Sequence, residues 1–455
     1  MSKKHGPLML VHIGFVPTLI VSSAEAAKEL FKAHDLDCCS RPPVTGTGEL
    51  SYNYLDVDFT AYGDYWREMQ HLYVIEVLSI KRVQSCRFVR EEEVESLIKS
   101  ISEFSKLGTL VNLSEKLMSL TADVTCRVAF GKSFRERGYE DFDTDYEEVI
   151  HEAFATLGSF AAANFFPYFG WNVDRITGLH RRLERNFKRL DAFFQKVLDD
   201  HLCSGYRIAE EEQEDIIDVL IKLAKYETAS GTEKITHNHI KAILMDIFLG
   251  GSDTASISMA WAMAELAKNP RVMKKAKEEI RNSLGNKGKV SETDIEKRPY
   301  LEAVLKELWR LHPPGTLLMP REANIRFNIL GYTIEPKTRV QVNVWAIGRD
   351  PNVWENPQEF YPERFLDSPI DFKGQHYEFL PFGSGRRICP AVHKVAAILE
   401  FTLANLLYCF DWKLPGGMTE EDICKEEEAG ITAHKKVPLK LIPVKYQCSS
   451  ENKMS

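Results

Sequence analysis

Phe382-Gly-Ser-Gly-Arg-Arg-Ile-Cys-Pro-Ala391 sets a single cysteine at the end of a glycine-rich, doubly basic loop. Gly383 and Gly385 let the backbone bend close to a flat ligand. Arg386 and Arg387 offer planar, permanently charged donors suited to carboxylates. Cys389 then leads into an apolar, helix-like run from Pro390 to Phe410, whose first amides favour an anionic sulfur. Thiolate, close backbone and paired cations together suit a haem bearing two propionates. The competing reading is a buried core cysteine, a common state for a free thiol. The basic loop beside it weighs toward a ligand.

Working outward, the chain has 455 residues, 44% of them hydrophobic, enough for a large core. A net charge of −8 argues against nucleic acid as a partner, because phosphate binding needs a basic face. The nine cysteines are odd in number. Only Cys38-Cys39 are close and no C-x-x-C occurs, so neither a zinc site nor a disulfide framework is indicated. A reducing compartment fits. No stretch reads as the roughly 18 apolar residues that span a bilayer. The apolar segment Leu8 to Val21 is interrupted by His12, Gly14 and Pro17, and predicts two strands and a turn. Met1-Ser-Lys-Lys-His leads straight into it with no signal-peptide pattern.

Helical periodicity dominates the rest. Ser22-Ser-Ala-Glu25 predicts a capping box opening a helix to about Ala33. Further helices are expected over Asp64–Val83, Val89–Leu107, Ser114–Phe130 and Leu179–Leu202. The acidic run from Glu210 to Asp215 reads as a solvated loop or helix start. Ile235 to Lys268 is the longest helical pattern, with Thr236 as N-cap and Asn269-Pro270 as its stop. Arg271–Leu284 and Tyr300–His312 follow. From Arg321 to Val344 the period falls toward two, with turn signals at Gly331 and Pro336. The fold class is therefore mainly α (α+β), a large helical domain with a small β-sheet lobe. Residues 1–445 are expected to form one domain and 446–455 a polar tail.

Two further motifs carry chemistry. Gly250-Gly-Ser-Asp253-Thr254 sits in the middle of the longest helix, where each glycine costs about 1 kcal/mol relative to alanine. A bulge that admits water or a ligand would offset that cost; close helix packing at small residues would too. Beside it, a hydroxyl and a carboxylate can relay protons. Glu307-Leu-Trp-Arg310 pairs opposite charges at i, i+3; on a surface such a pair is worth less than about 1 kcal/mol.

The terminal loop resembles the cytochrome P-450 signature Phe-x-x-Gly-x-Arg-x-Cys-x-Gly, here Phe382, Gly385, Arg387 and Cys389, with Ala391 at the last position. The resemblance extends to Asp253-Thr254, to Glu307-x-x-Arg310 and to Pro362-Glu363-Arg364-Phe365, in the family's order. Tyr62-Gly-Asp-Tyr-Trp66-Arg67 and Phe379-Leu-Pro-Phe-Gly-Ser-Gly385 look like a plant A-type microsomal member. Two departures stand out: Gln70 occupies the last place of the family's Trp-x-x-x-Arg, and Ala255 replaces a hydroxyl residue.

The resemblance implies a fold around a buried haem b (heme b, iron protoporphyrin IX), with Cys389 on the iron. Trp66, Arg321, Phe382, Gly385 and Arg387 would support the cofactor. Thr254 and Asp253 would serve oxygen activation. Glu307, Arg310 and Arg364 would lock the haem-side core, and Leu249, Thr316, Leu317 and Ile431 would line the substrate pocket. The implied activity inserts one oxygen atom from O2 into a small apolar plant metabolite, with electrons from NADPH through a flavoprotein reductase. A reductase-independent isomerase or dehydratase, and a non-catalytic truncated copy, are the rival readings. A monomer is expected, on the cytosolic face of the endoplasmic reticulum for full-length relatives. An anchor, hinge and first helix are expected to be absent from this chain. Phe165 to Trp171 offers a peripheral contact with a bilayer.

Overall fold

The protein is described by a computed structural model at residues 2–133, 152–156, 158–203, 214–225, 235–285, 287, 290–295, 298–428 and 430–446. Most of the acidic run 210–215 and of the tail 446–455 lies outside these residues. The spine is a 32-residue helix, His237–Lys268. Thr236 is its N-cap, with the Thr236 N–H donated to His239 Nδ1 at 3.2 Å. Asn269 closes it and Pro270 opens the next helix, Pro270–Leu284, where a missing N–H costs nothing. Ile243, Leu244, Phe248, Ile257 and Trp261 are buried around its whole circumference, the pattern of an inner helix. Leu113–Phe130, Pro299–Leu311 and Val392–Cys409 pack against it.

The central helix runs unbroken through Gly250-Gly251, so the bulge suggested by the paired glycines is absent. Close packing explains one of them. A Cβ on Gly251 would lie 3.0 Å from Thr125 Oγ1 and 3.1 Å from Lys394 Nζ, whereas one on Gly250 would meet nothing within 4 Å. Gly250 instead leaves open space on the wall of the cavity described below.

Local details shift elsewhere. The helix Ala24–Ala33 is capped by Ser23, whose Oγ accepts from the Ala26 N–H at 3.2 Å. Ser22 lies one residue outside the cap, its N–H donated to the Pro7 carbonyl at 2.8 Å. The run expected as one helix from Asp64 divides into Asp64–Leu72, a wider turn at Tyr73–Val77, and Ile80–Ser85 capped by Ser79. Val392–Cys409 is, contrary to the sequence reading, long and apolar enough to cross a membrane. It is a core helix here, 67% buried, because it packs between the central helix, Pro270–Leu284 and Arg87–Leu107.

The small lobe is built on a four-stranded sheet. Leu8–Ile13 and Val16–Val21 form the expected hairpin; Val16–Val21 runs parallel to Arg339–Val342, which pairs antiparallel with Arg321–Glu322. Leu19, Val21, Leu30, Phe31, Val340 and Val342 make a second hydrophobic cluster beneath it.

One buried ion network ties loops to helices. Glu307 and Arg310 are wholly buried and pair in two-pronged fashion at 2.7 and 2.8 Å. Arg364 Nε reaches Glu307 at 3.1 Å, and the Tyr361 N–H donates to the same carboxylate at 2.8 Å. The remaining Arg310 donors satisfy the carbonyls of Gly348, Pro357 and Glu359. Every prong has a partner, which is the condition for burying such charges.

Candidate active site

Cys389, Arg387, Arg321, Phe382 and Trp66 open onto one cavity of about 590 Å³ between the central helix, the terminal loop and the β lobe. The loop is held by its own backbone: the Cys389 N–H donates to the Phe382 carbonyl at 3.0 Å. Phe382 stands edge-on to Trp309, with ring centres 5.0 Å apart. Gly385 has φ +71°, and a Cβ there would lie 2.3 Å from Asp35 Oδ1. Asp35 accepts from the Arg386 N–H at 3.0 Å and pairs with Arg321 at 2.7 Å. Glycine at 385 is therefore required twice, by backbone and by neighbour.

Arg321 donates its other prong to the Ser384 carbonyl at 2.9 Å. Arg387 donates to the carbonyls of Cys39, Val57 and Thr60 and stacks over Trp66, 4.1 Å from the ring centre. The Trp66 indole N–H donates to the Val57 carbonyl at 3.0 Å. In this structure Trp66 thus supports Arg387 and the loop at Val57. Gln70 also lines the cavity but brings no charge.

A third guanidinium, which the sequence reading passed over, supplies what Gln70 does not. Arg41 lines the cavity and donates to the carbonyls of Asp58, Met319 and Pro320 at 2.8–2.9 Å. Burial pulls Arg41 down to about 9, with repulsion from Arg387 and Arg321 adding to it. Burial likewise pulls Arg387 down to about 10, partly offset by Cys39 and deepened by Arg321. No sequence pattern marks Arg41, because its neighbours at 319–321 meet it only through the fold.

Burial pushes the Cys389 thiol up to about 12, against the Ala391 N–H, which favours the sulfur anion, and with Asp58 adding to the rise. The sulfur is protonated until a cation arrives; a bound metal would deprotonate it. Three guanidiniums at one cavity, Arg321 shared with Asp35 and Arg41 and Arg387 resting on backbone carbonyls, and a thiol with an N–H donor at hand suit an anionic macrocycle with a metal centre. The residues present fit such a group.

The central helix brings Leu249, Gly250 and Thr254 to the cavity wall, and Thr316, Leu317 and Ile431 join from loops. The Thr254 hydroxyl donates to the Gly250 carbonyl at 2.7 Å. Asp253 is not on the wall. Its buried carboxylate accepts from Thr432 Oγ1 at 2.8 Å and meets His434 Nε2 at 3.1 Å. Neighbours on a helix point about 100° apart, which is why Asp253 and Thr254 part company. Thr432 does line the cavity, so Asp253 reaches it through one hydroxyl. Burial pushes His434 down, but the Asp253 hydrogen bond and charge prevail and raise it.

Other cavity groups left no signal in the sequence. Lys394 lies one turn into the helix after Cys389, and burial pulls its amine down to about 8. Asp56, Asp58 and Asp246 also line the cavity. Asp246 Oδ2 accepts from the Val57 N–H at 2.9 Å, pinning that loop to the central helix.

A family model described as cytochrome P-450 matches residues 1–441. The chain is 52% identical to cytochrome P-450 71B10 of Arabidopsis thaliana over 448 residues, covering 98% of this chain and 88% of that one. It is 50% identical to cytochrome P-450 71B36 of the same plant over 446 residues, with the same coverage. Among solved structures, it is similar in fold to a zebra fish cytochrome P-450 with abiraterone at a TM-score of 0.80 and 24% identity, covering 98% of this chain and 97% of that one. A second zebra fish structure, with progesterone, gives 0.78 at 23%, covering 97% of each chain.

Proposed function

This chain belongs to the cytochrome P-450 family of haem-thiolate monooxygenases, and from that premise we propose that it inserts one oxygen atom from O2 into a small apolar plant metabolite. The observation that carries the reading is one cavity lined both by the Cys389 loop and by Thr254 of the central helix. Haem b, when bound, supplies dioxygen activation, which takes two electrons and two protons. Cys389 is the iron ligand, tuned by the Ala391 N–H. Arg41, Arg321 and Arg387 hold the propionates.

Thr254 holds a hydroxyl at the cavity wall, anchored on Gly250, where it can hand a proton inward. Asp253 feeds the same wall through Thr432, with His434 behind it. Leu249, Thr316, Leu317 and Ile431 exclude water and orient the substrate. Electrons come from NADPH through a flavoprotein reductase, and the protein works as a monomer.

A membrane setting on the cytosolic side of the endoplasmic reticulum agrees with an exposed aromatic patch. Tyr168, Phe169 and Trp171 are half exposed or more, and Phe15 of the β hairpin meets Tyr168 edge-on at 5.7 Å. Such a surface suits the headgroup region of a bilayer.

The test is the reduced carbon-monoxide difference spectrum of the haem-loaded protein, followed by turnover with NADPH and reductase. A strongly red-shifted Soret band that vanishes in Cys389→Ala is expected. A band typical of neutral thiol or histidine ligation in the unmutated protein would overturn the assignment.

A further inference from the structure

One end of the cavity is walled by a face of the four-stranded sheet, and that face is polar. Leu19, Val21, Val340 and Val342 point into the hydrophobic cluster beneath the sheet. Alternation along the strands sends Thr18 and Ile20 of one strand, and Arg339 and Gln341 of the next, to the opposite side. Thr18 is the register partner of Arg339, and Ile20 of Gln341. Thr18, Arg339 and Gln341 all line the cavity. Paired strands lie about 4.8 Å apart, so the Thr18 hydroxyl and the root of the Arg339 side chain stand side by side.

These groups are short of partners. Thr18 is only 2% exposed, and its Oγ1 has no hydrogen-bond partner. Arg339 donates one N–H to the Asn164 carbonyl at 3.1 Å, with its guanidinium 4.7 Å from the Phe165 ring centre. Among the described residues it forms no ion pair. Burial pulls Arg339 down and Glu322 pulls it back from longer range, but Glu322 is itself paired with Lys337 at 2.7 Å. The guanidinium stays charged throughout. Asn164 is fixed on the same wall, its Oδ1 accepting from the Thr45 N–H at 2.9 Å and the Thr45 hydroxyl at 2.8 Å. A half-buried cation with donors to spare, beside a buried hydroxyl without a partner, is a costly arrangement that an anionic guest relieves.

This end is separate from the one assigned to the cofactor. Arg321 lies on the edge strand opposite Val340 and packs over Phe31, on the cluster side of the sheet. Arg321 and Arg387 both repel Arg41, whereas none of the three acts on Arg339.

We propose that Arg339 and Thr18 form a carboxylate-binding subsite at the sheet end of the cavity, which selects substrates carrying an acid group and lays their apolar remainder toward Leu249 and Ile431. The inference rests on the monooxygenase reading of the same cavity and narrows it from apolar metabolites to amphiphilic acids. Arg339 brings a planar fork matched to a carboxylate, Thr18 one hydroxyl, and Gln341 an amide on the same face.

The experiment is calorimetric titration of the haem-loaded protein with ω-phenylhexanoate and with ω-phenylhexanamide, the same skeleton without the charge, at about pH 7.5, where the acid is ionised. The expected result is at least about tenfold tighter binding of the acid. That preference is lost in Arg339→Gln, kept within a few-fold in Arg339→Lys, and reduced roughly tenfold in Thr18→Val. Arg339→Gln should still bind the amide within a few-fold of the unmutated protein, which shows the cavity intact. Equal binding of both probes by the unmutated protein would overturn the proposal. So would a preference that survives in Arg339→Gln, since the acid would then sit on iron or on the other arginines. The carbon-monoxide spectrum of each protein separates the two readings. A normal thiolate band without an acid preference sinks this inference alone, and a preference lost in Arg339→Gln without that band sinks the monooxygenase alone.

Discussion

Gly383 and Gly385 stand two residues apart in one loop with nearly equal φ, +74° and +71°, yet different things hold them there. A Cβ at 383 would find its nearest neighbour, Leu318 Cδ1, at 3.5 Å, whereas one at 385 would overlap the Asp35 carboxylate. Gly383→Ala should therefore cost only the left-handed strain, about 1–2 kcal/mol. Gly385→Ala should add an overpacking cost, for a total of about 2–5 kcal/mol, and displace the Asp35–Arg321 pair. Urea unfolding of the two variants measures the difference; equal losses would refute the role given to Asp35. Arg41 belongs to the same scale. If it stands in for the cation missing at Gln70, Arg41→Gln should speed haem loss roughly tenfold or more, in line with the loss of a charge-assisted contact. Transfer of haem to an apo-globin acceptor reads this directly, and an unchanged rate would return the propionates to Arg321 and Arg387 alone.

Between elements, the Glu307 network joins the helix Pro299–Leu311 to the Pro362–Phe365 segment. Glu307→Gln leaves Arg310 buried without its counter-charge, and a loss of about 3–5 kcal/mol is expected by chemical denaturation. A loss under about 1 kcal/mol would put the pair in the class of surface ion pairs. The helix Val392–Cys409 carries a different liability. Glu400 sits on it with its carboxyl pushed up to about 7 by burial and then by Glu302 and Glu292. Its folded pKa lies above its unfolded value near 4.3, so the folded chain holds the extra proton between those limits. Stability should consequently fall as pH rises from about 4 to 7, and stay reduced above that, by up to about 3 kcal/mol. Glu400→Gln should flatten this dependence, matching the unmutated protein near pH 4 and exceeding it near pH 8. Parallel stability profiles for the two proteins would show that Glu400 does not drive it.

For the whole molecule, the exposed aromatic patch predicts association with vesicles of zwitterionic lipid. Replacing Trp171 and Phe15 together by serine should lower partitioning by about tenfold or more, given roughly 1.5–3 kcal/mol for full burial of a large apolar side chain. Flotation that is unaltered by the double change would place the contact elsewhere. Phe165 turns inward to line the cavity and stacks on Phe160 at 4.9 Å, while Tyr168, Phe169 and Trp171 remain outside. One aromatic run serves both cavity and surface.

Much of this architecture was legible in the chain alone, where the controlling interactions are local. The hairpin at 8–21, the ends of the central helix at Thr236 and Asn269, and the turn chemistry of 382–391 depend on neighbours within a few residues. The spacing of Cys389, Arg387 and Gly385 likewise survives in any fold that preserves the loop. Tertiary structure decided whatever depends on distant partners. It divided the helix expected over 64–83 and moved a cap from Ser22 to Ser23. It carried the central helix unbroken through Gly250-Gly251 and set the side chains of Thr125 and Lys394 close against Gly251. It turned Asp253 toward Thr432 and His434, and it gathered Arg41, Asp58 and Asp246 onto one wall. Those contacts join residues tens to hundreds of positions apart, so no local periodicity could announce them; burial then shifts their charges, which is where the chemistry of the cavity lies.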